Sequence, residues 1–113
     1  DAATTAALLE LLDDEEVGIR LEAVKALAAV GRRGRQDVVR GVLERLVDRN
    51  AAVRTQAVIS LGRVAGREDR KAIGALGRIM DDDKQDTNGQ MATEALVSIV
   101  RSIEDEDEDE GNR

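Results

Sequence analysis

Asp81, Asp82, Asp83, Asp86 and Asn88 crowd one short stretch of the chain. Side-chain oxygens at that density suit a hard cation such as Ca²⁺. An EF-hand register with Gly89 at its sixth position would need an acid where Lys84 stands and a Glu where Ala95 stands, so that spacing fails. Helix capping beside a solvated acidic turn accounts for the cluster, and no metal site is expected. The chain has no His and no Cys. A Ser-His-Asp triad, a Cys-His pair and an imidazole or thiolate zinc site are therefore out of reach. The segment Gly31-Arg-Arg-Gly34 has neither the spacing nor the Lys of a phosphate-binding loop. The expectation is no catalytic residue and no cofactor.

Arginine is the other chemistry available. From Gly31 to Arg54 there are seven Arg against three acids, and a basic strip attracts phosphate. No Phe, Trp or Tyr accompanies it for base stacking, which weighs against nucleic acid. The formal net charge of -7 is carried by the seven consecutive acids of 104–110, and the rest of the chain is balanced. Residues 104–113 read as an acidic, disordered tail, since like charges repel and nothing in the run can be buried.

The elements that must position these groups repeat. Leu12, Asp14, Ile19, Arg20, Ala23, Val24, Leu27 and Val30 match Leu46, Asp48, Val53, Arg54, Ala57, Val58, Leu61 and Val64 at an offset of 34. Upstream, Leu8, Val42 and Leu76 align, as do Leu12, Leu46 and Met80. One extra residue enters the third turn, so Ala92, Leu96 and Ile99 match at an offset of 35. The three- and four-residue steps within each copy mark helical faces. Three two-helix units follow, at about 2–34, 35–67 and 68–103, forming one domain over 1–103. Asp13-x-x-Glu16 and Thr87-x-x-Gln90 have capping-box spacing, and Asn50 can cap its helix. Gly31, Gly34 and Gly66 sit where helices should stop. Gly62, Gly74 and Gly77 fall inside helices, where close helix approach would account for them.

The pattern carried by Leu46, Asp48, Asn50, Val53, Arg54, Ala57, Leu61 and Gly62 resembles short HEAT-like repeats of the phycobilin-lyase type. Unit one departs from it with Glu16 and Ala28, and unit three with Gly89 in the Arg position; the resemblance covers about residues 4–103. It implies an all-α fold, a right-handed α-α superhelix (α-solenoid). It also implies a structural ladder of charged hydrogen bonds between units, built from Asp14, Arg20, Asp48, Arg54 and Asp82. In similar repeats the concave groove is lined by the second helices. Here that surface comprises Leu21, Glu22, Lys25 and Ala29, then Thr55, Gln56, Ile59 and Arg63, then Gln90, Met91, Glu94 and Ser98. Leu21, Ile59 and Met91 would form an apolar stripe with a polar rim, as recognition surfaces do.

The implied function is a non-catalytic interaction or scaffold module, with another protein or peptide as its partner. Dimerisation through the same stripe is an alternative occupant. The rival functions are an accessory related to the bilin lyases, which this chain lacks the aromatics to serve unaided, and a weak nucleic-acid binder. No apolar run reaches the roughly 20 residues of a membrane span, no secretory signal is visible, and no Cys suggests an oxidising compartment. A cytoplasmic location is expected. The chain begins at Asp1 without Met, as a processed chain or an excised piece would.

Overall fold

A computed structural model describes residues 1–82 and 87–111, with side chains as far as Ser102. The described residues form six helices, α1 (Ala2–Leu11), α2 (Val17–Val30), α3 (Gln36–Glu44), α4 (Ala51–Val64), α5 (Arg70–Asp82) and α6 (Thr87–Gly111). A 3-10 turn at Arg45–Val47 tightens the end of α3. The described residues contain no strand, and the fold is an all-α solenoid.

Short connections hold α1 to α2, α3 to α4 and α5 to α6 as helical hairpins. The second helices α2, α4 and α6 pack side by side, whereas α1 and α3 touch lightly and α5 packs chiefly on α6. One row of helices is thus continuous and the other splayed, which is how a stack of repeats curves. The molecule measures 48 × 39 × 17 Å, the thin dimension being that of two helix layers.

The core runs along the inner seam. Val24, Leu27, Val58, Leu61, Val64, Leu76, Ala92 and Ile99 are all buried, and every one lies on the periodic face read from the sequence or beside it. With no aromatic ring in the chain, helices approach until small side chains touch. At Gly62 a β-carbon would lie 2.7 Å from the Cα of Ala95, so the backbones of α4 and α6 come into close contact there. The same reasoning does not extend to α5. A β-carbon at Gly77 meets nothing within 4 Å, and at Gly74 only the end of Arg78.

The start of α2 differs from its expected cap, whereas that of α4 agrees. Asn50 accepts from Ala52 N at 2.9 Å and Val53 N at 3.3 Å, as its position suggested. Asp13 and Glu16 do not form a capping box, because α2 begins only at Val17. Instead Asp14 Oδ1 accepts from Glu16 N at 2.9 Å, closing the turn one residue later. Gly31 does end α2, and Gly34 has the left-handed φ of 85° that a side chain would resist. α6 remains helical to Gly111, where the sequence suggested a disordered tail from 104. Propagation from packed first turns adds one backbone hydrogen bond per residue, which works against the like-charge repulsion of the run.

Candidate functional site

Two rows of polar contacts lock the units together, one at each end of the helices. At the hairpin turns Arg20 is the organising group. It is 3% exposed, and it donates from Nε to Asp48 Oδ2 at 2.9 Å and from Nη2 to Asp48 Oδ1 at 3.1 Å. Its Nη1 reaches the carbonyls of Asp14 and Glu15 in its own turn at 2.8 and 3.0 Å. Arg54 repeats the local half of this geometry one unit later, donating to the Asp48 carbonyl at 2.8 Å. Arg45 adds a donor to Asp48 Oδ2 at 3.2 Å and holds the Leu12 carbonyl at 3.0 Å. Burial pushes the Asp48 carboxyl up. The hydrogen bonds from Arg20 and from the Asn50 amide, with the charges of Arg20 and Arg45, outweigh that and hold it below the usual carboxylate range.

The rung from Arg20 to Asp48 is not repeated between Arg54 and Asp82 among the described residues. Asp48 lies outside its helix, beyond the 3-10 turn, but α5 runs on through Asp82 and leaves that side chain exposed. Gly89 stands where a third arginine would start the next rung. Asp14 contributes its carbonyl to Arg20, and its carboxylate serves the turn. Asp83 and Asp86 of the acidic turn lie outside the described residues. Among those described, no group of three or more acids is placed to hold a metal ion.

The opposite row joins the links between units, and nothing in the repeat pattern pointed to it. Arg33 Nη1 donates to the carbonyls of Gly62 at 2.9 Å and Ala65 at 2.8 Å, closing the C-terminal end of α4. Gly34 N donates to Val64 O at 2.7 Å. Gln36 Nε2 donates to Asp69 Oδ1 at 2.6 Å, and Gly66 N to Asp69 Oδ2 at 2.6 Å. The available signal was the 33-residue spacing of Gln36 and Asp69, close to the repeat length.

These contacts change the meaning of the basic strip. Arg33, Arg35, Arg45, Arg49 and Arg54 each hold a carbonyl or carboxylate of the chain itself. Arg35 forks onto Asp37 at 2.7 and 3.0 Å. That hydrogen bonding holds Asp37 below its ordinary value and raises Arg35. Arg32 and Arg40 are exposed.

The expected groove residues lie on the second helices but are not alike. Glu22 and Lys25 are exposed and 3.6 Å apart. Thr55 donates to Asn88 Oδ1 at 2.7 Å, bridging α4 to α6, and Gln56 donates to Ser60 Oγ at 3.1 Å. Arg63 and Glu94 are exposed, and Ser98 is half-buried. The apolar stripe narrows. Leu21 and Met91 are packed against the core, whereas Ile59 is half-buried and stands outside the apolar cluster. Glu94 and Ser98 line an open hollow of roughly 420 Å³ with Arg33, Val97 and Arg101.

No helix among the described residues is long and apolar enough to cross a membrane. No curated protein and no solved structure matches the chain. A family model described as HEAT repeats matches residues 5–97. Such repeats generally mediate protein–protein interaction or scaffolding and are typically non-catalytic. With period, stacked hairpins and matched span in agreement, the chain belongs to the HEAT repeat family.

Proposed function

We propose that this chain is a non-catalytic scaffold module, working in the cytoplasm, that holds a protein segment along the surface of α2, α4 and α6. The observation that carries the reading is Ile59. It is a large apolar side chain left outside the core on the middle helix of the continuous row. Arg63 is exposed one turn further along α4, and the exposed Glu22–Lys25 pair and Glu94 occur on the helices to either side. An apolar point within a polar surround is where a binding surface gains most of its energy. The absence of His and Cys removes the commonest catalytic and zinc chemistries from the same surface.

Immobilised chain should capture partner protein from a lysate of its source. Ile59→Arg should reduce that capture about tenfold or more, as loss of a central contact does. Helical circular dichroism and melting should stay as in the parent, since Ile59 is outside the core. An unchanged capture profile in the folded variant would remove the groove from consideration.

A further inference from the structure

The seam between units is built from small residues, and the outer face of the last unit breaks that rule. Aligned by the repeat, one seam position is Ala28, Gly62 and Val97, and a second is Gly31, Ala65 and Val100. In unit two, where unit three stacks on this position, Gly62 leaves no room for a β-carbon, and Ala65 is fully buried. In unit three both positions are valine, 43% and 53% exposed. With Met80, Thr93, Leu96 and Arg101 they line an apolar hollow of about 350 Å³. A fourth repeat could not dock there as closely as units two and three do, because Val97 is bulkier than the Ala28 and Gly62 of the inner seams. Nor is the face polar, as the outer face of a terminal repeat should be.

We infer that this face is the dimer interface of the chain, with α6 lying antiparallel against α6 of a second copy. The surface continues the established seam, and its spacing is that of a helix pair. Thr93, Val97 and Val100 follow four- and three-residue steps with Leu96 beside them. The charges select the orientation. Glu94 and Arg101 are exposed and seven residues apart, hence on one flank of that stripe. Under a two-fold axis equal flanks face each other in opposite directions, so Glu94 of each copy meets Arg101 of the other. A parallel pair would set equal flanks on opposite sides of the seam, leaving Glu94 and Arg101 without each other, and would bring the two acidic runs of 104–110 side by side. The antiparallel pair sends those runs to opposite ends. This interface lies on the end of the stack; it shares the flank residue Glu94 with the proposed partner surface but does not involve Ile59.

Sedimentation equilibrium across about 5 μM to about 1 mM protein covers the range expected for a patch of this size. The expected result is a monomer–dimer equilibrium that Val97→Lys weakens about tenfold or more. Glu94→Arg and Arg101→Glu should each weaken it about three- to tenfold, more so at low salt. The double exchange Glu94→Arg/Arg101→Glu should recover the parent constant within about twofold, because the two-fold pairing is restored. All three side chains are exposed, and circular dichroism should report unchanged helix in every variant. A monomer at every concentration, a dimer indifferent to Val97→Lys, assemblies larger than a dimer, or a double exchange without recovery would each overturn the inference.

Discussion

Asp48 takes hydrogen bonds from Arg20 Nε, Arg20 Nη2, Arg45 Nη1 and the Asn50 amide, which fills its two oxygens. Its side chain is 2% exposed and that of Arg20 is 4%, so neither charge can turn to water if the other is removed. Asp48→Ala should therefore cost about 3–5 kcal/mol, read from urea denaturation at neutral pH. Arg45 would also lose a partner, and its buried Nε already has none among the described residues. Because the folded carboxyl is held below its unfolded value near about 4, the stabilisation is complete above that pH. It is lost as pH falls through the depressed folded value. Melting temperature should be level from neutral pH to about pH 5 and then fall, with a shallower slope in Asp48→Asn. The residue types of this rung were legible, since Arg20 and Asp48 stand at fixed places in the repeat. That Asp82 would not continue it was hidden in one extra residue and in the length of α5. The number of arginines was equally visible, but not their use, because charge counts do not separate side chains that hold carbonyls from those displayed to solvent.

Among the elements, the helical glycines separate into two kinds. Gly62 sits where α4 and α6 touch, and Gly62→Val should destabilise the stack by about 1–3 kcal/mol through overpacking. Gly77 has open space around it, and Gly77→Ala should stabilise by about 0.5–1 kcal/mol. Denaturation midpoints of the two variants should move in opposite directions. From sequence both are simply glycine inside a helix. The second helices were the most legible elements, because a core of Val, Leu and Ala at three- and four-residue steps admits one face only. Their starts were less so: Asp13 and Asp14 are both favourable cap types, and only the turn geometry selects Asp14 for the Glu16 amide. The row that links Gln36 to Asp69 was not foreseen, since neither residue belongs to the positions that recur in every unit.

At the scale of the molecule, three hairpins share one thin aliphatic core, so damage in the middle should be felt everywhere. Leu61 is fully buried on α4, and Leu61→Ala should cost about 2–5 kcal/mol and lower the single melting transition of the whole chain. The fold could be read because the repeat imposes the same requirement three times. The proposed binding surface could be read only as a register on the second helices. Which of Leu21, Ile59 and Met91 remains outside the core depends on the tilt of each helix against its neighbours. A photo-crosslinking amino acid placed at Ile59, and in a separate variant at the exposed Arg40 on α3, tests the proposed recognition surface directly. Irradiated in a lysate of its source, the chain should form discrete protein adducts from position 59 and few from position 40. Adducts from position 40 alone, or equally from both, would contradict a partner held along α2, α4 and α6.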